Sequence, residues 1–347
     1  MPLLILNDIH LGSIRVAGTT PASAYQLRQD LIEGFERLVN QASGDLMLLG
    51  DLFDGADIPR PDMLAAFRIL SAWLTQRPAS KLYAVAGNHD LSRSSQQMSA
   101  FQLLGALLMD AFPSRVMYVE GSVMTPYGYV ISHMPNQDLY NLEVEKVPAC
   151  DYLFTHVNYN NLFAQEADHS LNLSETQART LPVRHVVFAH EHQQRAELDG
   201  KVIVIGNNIC ASISDCLGNT SKRMMIIEDD GSHRFVETWR AEGDYQECDW
   251  RELEDGARFV RAVGTATAEE AATVMQTIAR FRAKSSARVV GNAVKIASAA
   301  GESEFELTHE QITEFNVREA LREFLTEDEN KKVDALLAPA DEQEKTA

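Results

Sequence analysis

Several things are scarce in this sequence. The four cysteines, Cys150, Cys210, Cys216 and Cys248, form no Cys-x-x-Cys pair. They are too sparse for a disulfide framework and fit a reducing compartment, so unpaired and mostly buried thiols are expected rather than a zinc site. No apolar run approaches the roughly 20 residues that a membrane-spanning helix needs. The opening Met1-Pro2-Leu3-Leu4-Ile5-Leu6-Asn7-Asp8 lacks a basic start and a small-residue cleavage site, so a cytoplasmic location without membrane contact is expected. Basic residues are outnumbered: 31 Lys and Arg stand against 50 Asp and Glu, a formal net charge of −19. Phosphate backbones attract Lys and Arg, so this total speaks against nucleic acid. The distribution says more. Ala271 to Gly301 holds no acid but carries Arg280, Arg282, Lys284, Arg288 and Lys295, whereas Glu302 to Ala347 holds 14 acids and 5 basic residues. A basic island sits beside an acidic tail.

What is present reads as alternating strands and helices. Leu3 to Leu6, Asp45 to Leu49 and Lys81 to Ala86 are short apolar runs of strand type. Between and after them, residues 22 to 42, Pro61 to Gln76 and Gln96 to Phe112 carry apolar residues at helical spacing. This alternation predicts an α/β arrangement with parallel strands. From Val116 to Ser132 the runs shorten and antiparallel pieces are expected. Asp151 to Thr155, His185 to Ala189, Lys201 to Ile205, Met224 to Glu228 and Phe235 to Trp239 form a second set of strands, with Ser174-x-x-Gln177 opening a short helix. A boundary is expected around Asp244 to Asp249. Beyond it come a strand at Arg258 to Val263, a helix opened by the capping box Thr267-x-x-Glu270, and a strand at Arg288 to Ala297. The expected organisation is a domain over 1–245, a small β-α-β unit over 250–300, and an acidic helical tail over 302–347. In the tail, an apolar stripe from Val317 to Leu325 could dock on a partner or pack internally.

The informative residues lie where strands end. The first strand runs into Asn7-Asp8-Ile9-His10, the second into Gly50-Asp51-Leu52-Phe53-Asp54 and the third into Gly87-Asn88-His89-Asp90. Two later strands run into Thr155-His156 and His190-Glu191-His192. Ligand sites in open α/β sheets form outside the carboxyl ends of strands. In extended backbone, side chains two apart share a side, so Asp8 with His10, and His190 with His192, can each approach one ion. Carboxylate with imidazole suits a borderline divalent metal better than calcium, and the absence of thiol ligands argues against structural zinc. Each piece alone has an ordinary reading as a turn or a satisfied polar residue; five together, in this order, do not. His133 is read as a turn or supporting residue, and His169, His185, His233 and His309 as surface or structural. Glu191 is expected to face solvent.

Asp8-x-His10, Gly50-Asp51-x-x-Asp54, Gly87-Asn88-His89-Asp90, His156 and His190-x-His192 resemble the motif set of the calcineurin-like metallophosphoesterases, over roughly residues 1 to 240. The context His10-Leu11-Gly12 and Gly50-Asp51-Leu52-Phe53-Asp54 resembles the SbcD-type nuclease branch, related to the meiotic-recombination-11 nuclease. Ala189 stands where the family often has Gly. The resemblance implies a four-layer αββα sandwich with a small α+β capping domain and a helical C-terminal tail. It implies two divalent metals, Mn²⁺ first and Mg²⁺, Fe²⁺ or Zn²⁺ as alternatives. One would be held by Asp8, His10, Asp51 and His192. The other would be held by Asn88, His156, His190 and the bridging Asp51. His89 would contact the scissile phosphate or protonate the leaving oxygen, oriented by Asp54. The implied activity is cleavage of DNA in repair or recombination, exonucleolytic on duplex ends and endonucleolytic on single strands. Arg280, Arg282, Lys284 and Arg288 are the candidate DNA contacts. A coiled-coil ATPase of the SbcC type is the implied partner of the tail, and a homodimer is left open. The competing readings are a phosphatase or cyclic-nucleotide phosphodiesterase on a small substrate, and a non-catalytic scaffold that binds DNA or an ATPase.

Overall fold

The computed structural model describes residues 1–13, 16–92, 97–161, 170–218 and 220–297. The expected tail helices, the stripe from Val317 to Leu325, His169 and His309 lie outside the described residues.

Two six-stranded mixed sheets dominate. In the first, Leu3–Leu6, Asp45–Leu49, Leu82–Val85 and Val116–Val119 run parallel in that order. On the other side of Leu3–Leu6 the sheet is extended by Ser221–Ile227 and then His233–Arg240, both pairings antiparallel. In the second, Val202–Val204, Val183–Ala189, Cys150–His156 and Gly128–Ile131 run parallel, with Arg195–Glu197 and Ser122–Thr125 as antiparallel edges. Val116–Val119 is therefore a parallel strand, not one of the expected antiparallel pieces.

The period of two in a strand explains the layers. Leu3, Ile5, Met47, Leu49, Tyr83 and Val85 point inward. There they meet Val130, Phe154, Val187, Ala189 and Ile203 of the other sheet. The alternate residues Leu4, Leu6, Leu46 and Leu48 face outward onto Leu31, Phe35, Leu70, Trp73, Phe101 and Leu104 of the helices Pro21–Asn40, Arg60–Gln76 and Ala100–Ala111. On the far side, Leu153, Val186 and Phe188 pack beneath Tyr140, Val144 and Ala178 of Gln137–Glu145 and Glu175–Thr180. Strands covered on both faces read as continuous apolar runs, which is why these runs were legible. The fold is the four-layer αββα sandwich.

Helix starts follow their caps. Ser174 and Gln177 form the expected box. The third helix begins at Ala100 rather than Gln96, because Ser99 and Gln102 make the reciprocal cap. Thr267 and Glu270 also bond reciprocally, but on a turn before the helix, which starts at Ala271.

After the sandwich, Tyr245–Asp249, Phe259–Val263 and Val289–Asn292 form a three-stranded parallel sheet. The residues expected to mark a boundary are thus its first strand. The expected strand from Arg288 to Ala297 is broken, with Lys295–Ala297 a separate short strand. Val274 and Ile278 of Ala271–Lys284 cover one face with Val260 and Val290. Phe259 and Val289 turn the other way into the core of the first sheet, and residues Met1 to Ile296 form one compact unit.

Candidate metal centre

The strand ends of both sheets meet at one edge. Asp8, His10, Asp51 and His190 all adopt left-handed backbone, with φ of 50°, 53°, 51° and 83°. The extended geometry expected for Asp8 with His10, and for His190 with His192, is therefore absent. Each strand instead turns sharply at its end. Such conformations cost of order 1–3 kcal/mol each in non-glycine residues and persist where the surroundings enforce them. Here the enforcement is visible: Asp8 N donates to Gly50 O, while Ile9 N and His10 N both donate to Asp51 O.

Two glycines make room. A Cβ on Gly50 would lie 2.1 Å from His156 Nδ1, and one on Gly87 would lie 2.2 Å from Asp51 Oδ1. Ala189, in contrast, is a regular strand residue opposite His156, and its methyl is buried between the sheets. The methyl is absorbed by the core, not by the loop.

The ligand atoms converge in two groups. His10 Nε2 lies 3.2 Å from His192 Nε2, and His192 Nε2 lies 3.9 Å from Asp8 Oδ1. Asn88 Oδ1 lies 3.1 Å from His156 Nε2 and 2.9 Å from His190 Nδ1, while Asp51 Oδ2 lies 3.1 Å from His156 Nε2. The sets Asp8–His10–His192, Asp51–His156–His190 and His10–Asp54–His89 each bring ligand-type atoms within 4.8 Å of one another. The flanking atoms of the rings explain which nitrogen faces the centre. His156 Nδ1 lies 3.0 Å from Leu49 O and His192 Nδ1 lies 2.6 Å from Asp215 Oδ1, so each ring presents Nε2.

The electrostatics describe a negative cage. Burial pushes the His10 imidazole down, but Asp54, Asp51 and Asp8 outweigh it and hold His10 up at about 9. His156 is likewise raised to about 9, with Asp51 and Asp8 overcoming burial. Asp51 resists its burial and is held well below the usual carboxylate range by His156, His10 and His89. Asp90 is pushed up to about 7 by burial and by Asp51.

His89 is exposed, and its Nδ1 lies 2.8 Å from the main-chain oxygen of Asp54. The Asp54 carboxylate points elsewhere, 3.5 Å from His10 Nδ1. A cavity of about 350 Å³ opens over this edge, lined among others by His10, Asp51, Asp54, His89, His190 and His192.

Sequence reading missed the supports. Asp90 closes the quoted Gly87-Asn88-His89-Asp90 motif, yet no role attached to it. Its buried carboxylate accepts from Asp51 N, Gly87 N and Phe53 N, tying the second and third strand ends together. Asn7 donates from its backbone N–H to Asn208 Oδ1 and from its side chain to Gly206 O. Asp215 lies in Ser212-Ile213-Ser214-Asp215, a stretch with a loose resemblance to the loop that follows the site in SbcD-type nucleases, but nothing in the sequence linked it to His192. Glu191 does not face solvent: it accepts from Tyr159 N and from Arg195 Nη1, and its side chain is 13 % exposed. His185 and His233 are structural, packed against Tyr152.

The basic island is divided. Arg288 Nε donates to Asp30 Oδ2 at 2.7 Å, and Arg282 Nη2 donates to Val290 O at 2.9 Å. Arg280 and Lys284 stay exposed on the helix. Among the described residues no helix is long and apolar enough to cross a membrane, and the four cysteines are free.

The donor set fits divalent cations on its own geometry. Asp8 Oδ1 is buried with no hydrogen-bond partner among the described residues, and two imidazole nitrogens face each other beside it. Nitrogen with carboxylate and amide oxygen is the mixture that borderline divalent ions take. Fold and site together define a metal-dependent phosphoesterase. The profile of the calcineurin-like phosphoesterase family matches residues 1–194, more than half of the chain, and the chain belongs to that family, whose members bind two divalent metals. Among solved structures, a novel archaeal phosphodiesterase is similar with a TM-score of 0.34 and 12 % identity, over 68 % of this chain and 99 % of its own. The Pseudomonas putida nuclease MPE is similar with a TM-score of 0.25 and 18 % identity, over 45 % of this chain and 62 % of its own. Comparison with curated proteins gives no match.

Proposed function

We propose that the chain is a dinuclear-metal phosphodiesterase acting on DNA, an SbcD-like exonuclease on duplex ends with endonuclease action on single strands. The observation that carries the phosphodiesterase part is the convergence of Asp8, His10 and His192 in one group and of Asp51, Asn88, His156 and His190 in another. Asp51 has two oxygens and a negative charge, so it can serve both ions, and the other six residues divide between them.

Two divalent ions held by these residues, Mn²⁺ in this reading, would supply positive charge to polarise the phosphodiester and to favour deprotonation of an attacking water. The protein holds that charge in a fixed cage and keeps its geometry through Asp90 and the glycine turns. His89 lines the same cavity, and its Nδ1–H donates to Asp54 O, which leaves Nε2, in the imidazolium form, as the atom that would give its proton to the leaving oxygen. Asp54 thus orients His89 through its main chain, and its carboxylate faces His10.

DNA as substrate is supported by the context of the ligands. Leu11 and Phe53, within the two SbcD-like stretches, pair as an isolated parallel bridge that locks the first two ligand loops together. Arg280 and Lys284 offer exposed positive charge for phosphates. A coiled-coil ATPase is proposed for the acidic tail on resemblance alone. The net charge of −19 favours the second reading, a small phosphodiester as substrate. One assay separates the two. The chain with Mn²⁺ is given a labelled linear duplex, a single-stranded circle and bis-p-nitrophenyl phosphate. Cleavage of all three supports the DNA reading, and cleavage of the small ester alone removes it.

A further inference from the structure

The tautomers of His156 and His192 are set in different ways. His156 leans on a main-chain oxygen, Leu49 O, which no substitution removes. His192 leans on a side chain from outside the ligand motifs. Asp215 Oδ1 lies 2.6 Å from His192 Nδ1, and the carboxylate is 3 % exposed. An ionised carboxylate only accepts, so the neutral His192 ring carries its proton on Nδ1 and its lone pair on Nε2. Nε2 is the atom that faces His10 and Asp8. The second oxygen of Asp215 accepts from Ala211 N, Ser212 N and Ser212 Oγ, each at 2.9 Å, so the carboxylate cannot rotate away without stranding three donors. Lys222 Nζ donates to the His192 carbonyl at 2.9 Å and holds the same residue from its backbone. The short helix Ile213–Cys216 that carries Asp215 is backed by the small sheet: a Cβ on Gly291 would lie 3.1 Å from Ile213 Cγ1.

We propose that Asp215 is a positioning residue that locks His192 with Nε2 toward the metal centre, and that it tunes one of the two metal sites separately from the other. This rests on the reading of His192 as a metal ligand. Removing such an outer carboxylate costs ~10–100-fold in metal affinity. The effect should fall on the site of Asp8, His10 and His192 and spare the site of Asn88, His156 and His190.

The test uses the metal-stripped full chain. Calorimetric titration with MnCl₂ should show two sites in the native protein. In Asp215→Ala and in the isosteric Asp215→Asn, one site should weaken by ~10–100-fold while the other holds. Ser212→Ala, which removes one of the three donors to the carboxylate but leaves the contact with His192, should weaken the same site less than Asp215→Ala does. Histidine ¹⁵N spectra, with the His192 signal assigned from a His192→Gln variant, should show Nδ1–H in the native metal-free chain and loss of that preference in Asp215→Ala. Unchanged affinities in both Asp215 variants, or Nε2–H at His192 in the native chain, would overturn the proposal. The native spectrum decides even where a variant fails to fold. Absence of any Mn²⁺ binding by the native chain would instead remove the metal reading on which the proposal rests.

Discussion

The strand-end edge and the small C-terminal sheet are both rich in charge, and they treat it in opposite ways. In the small sheet, positive groups meet matched partners: Arg258 with Asp244, Arg261 with Glu247, and Arg288 with Asp30 across to the first helix. At the strand ends, imidazoles meet carboxylates too, but like groups are also left against each other. His10 faces His192, Asp51 lies beside Asp90, and Asp8 Oδ1 is left without a hydrogen-bond partner among the described residues. Matched charge of the first kind holds elements together. Buried polar groups that are mismatched carry a penalty, and native proteins keep them where something else completes the set. The difference locates function at the edge and architecture in the sheet.

Asp51→Ala tests that contrast hardest. It removes the carboxylate proposed to bridge the two ions, so metal content should fall by two ions per chain, and kcat/KM on bis-p-nitrophenyl phosphate by ~10³-fold or more. Elemental analysis of the purified variant checks the first part. Retention of both ions would mean that the edge is not built around Asp51. His89→Ala comes next. A lost proton donor costs ~10²–10⁴-fold in rate, and both ions should stay. Loss of the ions in that variant would make His89 a ligand and dissolve its separate role.

The pH dependence of the metal-free chain sharpens the same comparison. The His10 and His156 imidazoles stand at about 9 against the usual 6.5, because neighbouring carboxylates outweigh burial. For a group raised on folding, the stabilisation is complete below the unfolded value and disappears as pH climbs through the folded value. Asp90, raised to about 7, acts in the same sense, since its ionisation burdens the folded state. The metal-free chain should therefore melt ~5 °C or more lower at about pH 9.5 than at about pH 6.5. Ligated imidazoles have already given up their protons, so saturating Mn²⁺ should flatten this trend, and metal uptake near neutrality should release protons. Equal melting temperatures across that range in the metal-free chain would contradict the cage electrostatics.

The sandwich was legible because its strands are covered on both faces, so Leu3 to Leu6 and Val186 to Ala189 read as unbroken apolar runs. The ligands were legible because they follow those runs directly. What stayed hidden depends on distance in sequence. Asp215 reaches His192 across 23 residues, and Asn208 reaches Asn7 across 201. No local period announces such pairs. The backbone at Asp8 and His10 was misjudged for a related reason. Extended geometry is the default for a strand, and only hydrogen bonds from the neighbouring loop at Asp51 enforce the turn. Glu191 was misplaced because its partners, Tyr159 N and Arg195, lie on another strand and across a turn.

The smallest expected effects lie in the small sheet, where two kinds of basic residue can be separated. Arg288 and Asp30 are partly exposed, at 25 % and 18 %, so their pair is worth ~1 kcal/mol or less. Arg288→Ala should lower the melting temperature slightly and leave DNA binding unchanged in its dependence on salt. Arg280 and Lys284 are exposed on the helix, so their replacement by alanine should shift stability by no more than ~0.5 kcal/mol. If they contact phosphates, the slope of log K against log salt should become shallower by ~1 for each charge removed. An unchanged slope in Arg280→Ala with Lys284→Ala would leave the helix Ala271–Lys284 with a structural role alone. A shallower slope from Arg288→Ala would mean that the pairing with Asp30 yields to DNA. Charge matched within the fold would then be available to a ligand after all, and the distinction between edge and sheet would hold only for the free protein.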